Sequence, residues 1–220
     1  GDRGRDGGGR DGRGGGSVAP VFAKWTPSAR VEALTEEQKK EIRERLGVSV
    51  EVPEGEAEAP SAIESFEDMQ LTRDIVADIR FKEYDKPSPI QAQAIPVILS
   101  GRDVLGCAET GSGKTAAFSI PMVQHSLNQA PLRHGDGPYA IVLAPTRELA
   151  QQIEAEAKTF TRSSKGFRTA IIVGGTNMHE QRSSLRGGVQ IIVATPGRLI
   201  DHLQQGNTNL SRVSLIVLDE

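Results

Sequence analysis

The sequence has few cysteines, few aromatic residues and no long apolar segment. Its only cysteine, Cys107, excludes an internal disulfide, and its four histidines do not have the spacing of metal ligands. The longest apolar runs, Ile95–Leu99 and Tyr139–Ala144, span five and six residues, whereas a membrane-spanning helix needs about 20. No charged and apolar leader follows Gly1. We therefore expect an intracellular protein without a membrane partner, located in the nucleus or the cytoplasm.

The sequence also has no large excess of charge of one sign. Its net charge is −3, with 37% hydrophobic and 25% charged residues, which is ordinary for a soluble globular protein. The charge is uneven: residues 1–16 have a net charge of +1, and residues 32–64 have ten Glu against four Lys or Arg. Residues 65–220 carry 16 charges of each sign. Bulk charge therefore does not indicate nucleic-acid binding, and any evidence for it has to come from local motifs.

Composition predicts three regions along the chain. Residues 1–34 are expected to be a disordered Gly/Arg-rich tail and an irregular segment, because residues 1–16 have no apolar side chain to bury. Such a tail is either an auxiliary RNA-binding element or a solvated spacer. Residues 35–64 are predicted to form a short helix, opened by a capping box at Thr35–Gln38, and an acidic linker. Residues 65–220 are predicted to be a folded domain that is incomplete at its C-terminus.

Within residues 65–220, strand-like apolar segments alternate with helical ones. This order predicts an α/β fold with right-handed connections, in which a parallel sheet has helices on both faces. Ligands of such sheets bind at the carboxyl ends of the strands. Cys107, at the end of the first strand, is expected to be a small core residue. The predicted strands are Asp103–Cys107, Tyr139–Leu143, Thr169–Val173, Val189–Ala194 and Leu215–Leu218.

A glycine-rich segment, Ala108–Thr115, lies between a predicted strand and a predicted helix. Its glycines allow backbone N–H groups to surround a triphosphate, and the following helix presents its positive end. Lys114 can reach the β- and γ-phosphates, and the Thr115 hydroxyl can bind Mg²⁺. The segment departs from the pattern G-x-x-x-x-G-K-[ST] at Ala108, where that pattern has glycine. It nevertheless predicts a phosphate-binding loop for a nucleoside triphosphate, with Mg²⁺ as cofactor.

Two carboxylates, Asp219 and Glu220, directly follow the predicted strand Leu215–Leu218. In enzymes with a phosphate-binding loop, an Asp at a strand end holds Mg²⁺, and a neighbouring Glu can polarise the attacking water. The candidate catalytic residues are therefore Lys114 and Glu220. The candidate metal ligands are Thr115 and Asp219.

Several motifs follow one another in a fixed order between Phe66 and Glu220. Ala108–Thr115 fits the pattern A-x-T-G-x-G-K-T, Pro87–Gln91 resembles the Q motif, and Asp219–Glu220 begins D-E-A-D. Together they resemble the first RecA-like domain of a DEAD-box ATP-dependent RNA helicase, and this family's pattern accounts for Ala108. The resemblance implies ATP binding by Phe66, Tyr84, Pro87, Gln91, Ala108, Thr110, Gly111, Ser112, Gly113, Lys114 and Thr115.

In this family an aromatic residue at the position of Tyr84 stacks on adenine, and the Q-motif glutamine recognises the base. The chemistry is consistent, since a glutamine amide has an acceptor and two donors and can match the N6 donor and N7 acceptor of adenine. Guanine presents acceptors at both corresponding atoms. One orientation of Gln91 can therefore favour ATP over GTP.

Three further motifs follow predicted strands and, by the same resemblance, contact RNA. Pro145–Ala150 resembles motif Ia, Gly174–Gly175 the GG motif and Thr195–Arg198 motif Ib. Backbone N–H groups, a hydroxyl and two guanidiniums suit a sugar-phosphate backbone, and no aromatic ladder for stacking bases is evident. We therefore expect binding to RNA that is independent of its sequence. The candidate RNA-binding residues are Pro145, Thr146, Arg147, Gly174, Gly175, Thr195 and Arg198.

Enzymes of this family have two RecA-like lobes, and this sequence resembles only the first. The resemblance implies a longer parent enzyme that couples ATP binding and hydrolysis to RNA unwinding or remodelling. Since the second lobe supplies the arginine fingers, we expect the 220-residue chain alone to be nearly inactive. An ATP-switched RNA clamp without processive unwinding would use the same motifs. A DNA helicase of related fold is a further alternative, which Pro87–Gln91 disfavours.

Overall fold

The computed structural model describes residues 21–219, so the predicted disordered tail over residues 1–16 and the predicted catalytic Glu220 lie outside the described residues. Within this range the structure has four strands, β1 (Ala140–Leu143), β2 (Thr169–Ile172), β3 (Ile191–Ala194) and β4 (Leu215–Leu218). They form one parallel sheet in the order β2–β3–β1–β4. The predicted α/β fold with a parallel sheet is confirmed.

Helices cover both faces of the sheet. They are α1 (Ala29–Glu32), α2 (Glu36–Leu46), α3 (Arg73–Phe81), α4 (Pro89–Leu99), α5 (Lys114–Leu127), α6 (Arg147–Thr159), α7 (Met178–Arg186) and α8 (Pro196–Gln204), with a 3₁₀ turn at Glu67–Met69. Because strand side chains alternate between the two faces, they belong to two different cores. Val142 and Val193 pack in the larger core with residues of α3 to α6, whereas Ile141 and Ile192 pack in a smaller core with residues of α7 and α8.

The segment Asp103–Cys107, predicted as a strand, has no regular structure. Leu105 is 93% exposed and Cys107 is also exposed, so the prediction that Cys107 is a core residue is wrong. A parallel strand is stabilised by its ladder with a neighbour and by burial of both faces, and this segment has neither. Among the described residues β4 pairs with β1 alone, and its side chains Ile216 and Leu218 are 61% and 74% exposed.

Residues 21–64, the N-terminal flank, pack against the sheet domain. The Trp25 indole donates a hydrogen bond to the backbone of Met69 (2.8 Å), and Arg43 Nε donates to Gln93 Oε1 of α4 (2.9 Å). Ile63 is buried, and its N–H donates to a carbonyl of α4 (2.8 Å). Only the end of the predicted acidic linker is held against α4, where Gln93 Nε2 donates to the carbonyl of Pro60 (2.9 Å), whereas residues 51–58 are exposed. These contacts join the flank to the domain.

The predicted capping box of α2 is present. The Thr35 side chain accepts from the N–H of Gln38, and the Gln38 side chain accepts from the N–H of Thr35. The helix ends at Gly47, which has a φ of 65° and closes the last turn in the left-handed conformation. Local sequence therefore determines both ends of this helix.

Across residues 21–219, no helix combines the length and the apolar character that crossing a membrane requires. The same residues contain no cluster of three or more His, Cys, Asp or Glu side chains arranged to hold a metal ion.

Candidate functional site

The glycine-rich loop leads directly into α5. Gly111 and Gly113 have φ values of 82° and 86°, a backbone conformation that residues other than glycine rarely adopt. A Cβ atom at Gly113 would also collide with the amide group of Gln91. Lys114 is the first residue of α5, and no hydrogen bond or ion pair ties its ammonium group to another described side chain. The loop thus offers N–H groups, a helix N-terminus and an uncommitted cation to an anion.

Gln91 connects the Q motif to this loop. Its Oε1 accepts the N–H of Ser88 (3.0 Å), and its Nε2 donates to the carbonyl of Gly113 (3.1 Å). The residue is only 3% exposed. An amide has two donors and two lone pairs, so these two bonds leave Gln91 one N–H and one lone pair for a further partner. Two motifs that lie 22 residues apart in sequence therefore form a single site.

One buried hydroxyl group in the same loop lacks a partner. Ser112 Oγ has no hydrogen bond within residues 21–219. A buried hydroxyl without a partner costs about 1–3 kcal/mol, so its position next to the glycines indicates a place that a polar ligand completes. Phosphate oxygens, which accept hydrogen bonds strongly, fit this donor.

The two aromatic residues predicted to bind ATP, Tyr84 and Phe66, occupy different environments. Tyr84 is half-buried: its hydroxyl donates to Glu156 Oε1 (3.3 Å), and its ring lies 6.3 Å from that of Phe160. Burial, and secondarily the Glu156 carboxylate, raise the pKa of Tyr84. Phe66 is a buried member of the larger core, and its role in ATP binding stays a prediction. Pro87 is also buried.

Asp219 directly follows β4, and its N–H donates to the carbonyl of Leu143 (3.0 Å) at the end of β1. Its side chain is partly exposed. In the part of the chain that the structure describes, no hydrogen bond joins Asp219 to the phosphate-binding loop. The structure thus places this carboxylate at the carboxyl edge of the sheet, as predicted, while its role as a metal ligand stays a prediction.

The three predicted RNA-binding loops follow β1, β2 and β3 and therefore lie on this same edge. The guanidinium of Arg147 is 3.1 Å from the position of a Cβ at Gly175, so motif Ia touches the GG motif. Arg198 Nη1 donates to the carbonyl of Thr176 (3.0 Å), which connects motif Ib to the residue after the GG motif. The other predicted residues Pro145, Thr146 and Gly174 are exposed, and Thr195 is partly exposed.

Sequence reasoning missed the residues that support these loops. Gln181 of α7 and His202 of α8 are buried and hydrogen-bonded to each other beneath the GG loop. Glu156, the partner of Tyr84, was also missed. Each lies on a helix with ordinary amphipathic spacing, so no local motif marks it.

The family model of the DEAD/DEAH box helicases matches residues 88–220. The chain belongs to the DEAD/DEAH box helicase family. The match begins at Ser88 of the Q motif and includes the phosphate-binding loop and all three strand-end loops. The predicted resemblance to the first RecA-like domain of a DEAD-box helicase is thereby confirmed.

Curated members of the family resemble this chain over most of its length. It is 44% identical to DEAD-box ATP-dependent RNA helicase 24 of Arabidopsis thaliana, over 86% of the chain and 24% of the relative. It is also 44% identical to the human ATP-dependent RNA helicase DDX42, over 91% of the chain and 21% of the relative. The chain thus spans about a quarter or less of the length of these two helicases.

Solved structures of family members have the same fold. The RNA helicase Prp28 of Chaetomium thermophilum, bound to ADP, gives a TM-score of 0.75 with 39% identity, covering 89% of this chain and 46% of that one. The yeast splicing factor Prp28 gives a TM-score of 0.76 with 35% identity, covering 86% and 44%. These similarities confirm the RecA-like fold.

Proposed function

We propose that this chain is the ATP-binding domain of an ATP-dependent RNA helicase, which couples ATP binding and hydrolysis to the unwinding or remodelling of RNA. The observation that supports this most directly is the contact between Gln91 and Gly113, because it joins a motif suited to adenine to a loop suited to phosphates. The relatives are ATP-dependent RNA helicases, and one similar structure contains ADP.

In this proposal, Gln91 and Tyr84 select the base. The free N–H and lone pair of Gln91 match the N7 and N6 atoms of adenine, and the Tyr84 ring offers a flat apolar face. The hydrogen bond from Tyr84 to Glu156 and the contact with Phe160 hold that ring in place. Guanine would place an acceptor opposite the remaining acceptor of Gln91, so it would bind less well.

The phosphates and Mg²⁺ would be held by the loop and the carboxyl edge. The N–H groups of Gly111 and Gly113 and the Lys114 ammonium bind and orient the phosphates. Thr115 and Asp219 supply the hard oxygen ligands that Mg²⁺ prefers, and Glu220 orients the attacking water. When bound, Mg²⁺ neutralises charge that develops on the phosphate oxygens.

RNA would bind along the strand-end loops. Arg147 and Arg198 supply positive charge, and the backbone N–H groups of Gly174 and Gly175 supply neutral donors. Thr146 and Thr195 add hydroxyl groups or N–H groups at helix N-termini. Since none of these groups reads a base edge, binding is expected to be independent of RNA sequence and to weaken as salt rises.

The test is ATP hydrolysis by the full-length protein with single-stranded RNA, with DNA of the same sequence and without nucleic acid. RNA should stimulate hydrolysis, DNA should not, and Lys114→Ala should abolish the stimulated rate. Equal stimulation by RNA and DNA would instead favour a DNA helicase of related fold. Strand displacement on an RNA duplex completes the experiment, because ATP-dependent retention of RNA without displacement would identify a clamp.

A further inference from the structure

A hydrogen-bond chain runs beneath the GG loop, residues 173–177, from the turn after α8 through His202 of α8 to α7. Asn207 Nδ2 donates to His202 Nδ1 (3.1 Å), and His202 Nε2 donates to Gln181 Oε1 (3.0 Å). Gln181 Nε2 in turn donates to the carbonyl of Val173 (2.8 Å) and to the hydroxyl of Thr176. Each hydrogen bond therefore fixes the orientation of the next side chain in the chain.

The direction of this chain follows from the donors available. The Asn207 amide nitrogen can only donate, so Nδ1 of His202 is the acceptor and Nε2 carries the proton. That proton fixes the oxygen of the Gln181 amide towards His202 and turns its NH₂ group towards the loop. His202 is completely buried, and burial, followed by the charge of Arg198, lowers its pKa. The neutral ring that the chain requires is therefore the stable form near neutral pH.

Ordering the GG loop, which accepts these bonds, costs much conformational entropy. Gly174 and Gly175 carry no side chains that could pack, and Gly175 has a φ of 75°. Glycine loses more conformational freedom on ordering than any other residue. Gln181 holds the residues on both sides of the glycine pair, Val173 and Thr176. Arg198 Nη1 also donates to the carbonyl of Thr176.

We propose that Gln181 and His202 are positioning residues for RNA binding, which hold the GG loop in its binding conformation before RNA arrives. The inference rests on the proposed RNA-binding role of Gly174 and Gly175. If the loop is ordered beforehand, RNA does not have to supply the free energy of ordering it. Neither residue touches RNA, so neither should change the number of phosphate contacts.

The experiment compares Gln181→Met, which keeps the length of the side chain but removes its hydrogen bonds, with Ser183→Ala, an exposed position on the same helix. Binding of a fluorescent 12-nucleotide polyuridine RNA is measured by anisotropy at several KCl concentrations. Binding of ADP is measured by calorimetry in the same preparations. Thermal unfolding shows that each variant is folded at the assay temperature.

We expect Gln181→Met to bind RNA about tenfold more weakly, the scale of ordering one or two glycines, with unchanged ADP affinity and an unchanged salt slope. Arg147→Ala, which removes a charged contact, should instead lower the slope by about 0.7. His202→Leu should weaken RNA binding, whereas His202→Gln, which can still donate to Gln181, should keep the wild-type affinity. Adding His202→Leu to Gln181→Met should cause no further loss.

Unchanged RNA affinity in folded Gln181→Met would overturn the inference, as would equal losses of RNA and ADP affinity, which indicate general damage. If His202→Leu does not fold, the Gln181→Met comparison alone decides. A wild-type protein that fails to bind RNA at all would refute the proposed function instead. The two failures are thus distinguishable.

Discussion

Replacing Gln91 by alanine removes two kinds of interaction at once, and the structure separates their effects. One kind is internal, since the amide holds the N–H of Ser88 and the carbonyl of Gly113. The other is the proposed contact with adenine. The internal bonds act on every nucleotide equally because they shape the phosphate-binding loop, whereas the base contact distinguishes adenine from guanine.

The two effects have different magnitudes and different readouts. Two hydrogen bonds at about 0.5–1.5 kcal/mol each suggest a loss of about 2 kcal/mol in the free energy of unfolding. For a domain of this size that loss lowers the Tm by roughly 4–8 °C. A bidentate base contact discriminates by about 1–3 kcal/mol, so the ratio of ADP to GDP affinity should fall about tenfold or more.

Calorimetric titration of ADP and GDP into wild type and Gln91→Ala measures this ratio directly. Gln93→Ala is the matched control, because Gln93 is also buried in α4 and makes two hydrogen bonds, but to the flank instead of the loop. It should lower the Tm comparably and leave the ratio unchanged. If Gln91→Ala stays folded and keeps the wild-type ratio, Gln91 serves only to hold the loop, and its assignment to adenine is refuted.

Three other outcomes are expected. Lys114→Ala should lower the affinities for ADP and GDP alike by about 10- to 100-fold, the scale of a charge-assisted bond to phosphate. A changed ratio of ADP to GDP affinity in calorimetric titrations would contradict this. Arg43→Ala leaves the buried oxygen Oε1 of Gln93 without its hydrogen-bond donor, so the free energy of unfolding should fall by about 1–3 kcal/mol in thermal melts. An equal loss in Arg45→Ala, which breaks only an exposed ion pair, would contradict this. Burial lowers the pKa of His125 from 6.5 to about 4. Protonation of this residue in the unfolded chain should therefore cost about 3 kcal/mol of stability as the pH falls from 6.5 to 4. Urea melts of His125→Gln should lack this decline, and stability-versus-pH curves that run parallel for the wild type and the variant would refute the prediction.

The sequence predicts those parts of the molecule that local patterns encode. The glycines and Lys114 mark the phosphate-binding loop because the bound group itself requires close backbone approach and a cation. The apolar runs at β1 and β3 mark central strands because both faces of each are buried. Thr35 and Gly47 mark the ends of α2 because capping depends on neighbours within a few residues.

Contacts between distant residues are what the sequence does not disclose. Asp103–Cys107 has a strand-like composition, but pairing partners and cover, which composition does not contain, decide whether a strand forms. Gln181 and His202 lie 21 residues apart, and their bond depends on how α7 and α8 pack. Arg43 and Gln93 are separated by 50 residues. The support of the site is therefore visible only in three dimensions.

The uncovered edge of β4 has a consequence for how this chain behaves in concentrated solution. Its backbone N–H and C=O groups on that side have no strand neighbour among residues 21–219, and the side chains of Ile216 and Leu218 in this strand are exposed. An open parallel edge with apolar side chains is a template for the strand of another molecule. With a net charge of only −3 to oppose association, the 220-residue chain should show a negative second virial coefficient and lose solubility as its concentration rises.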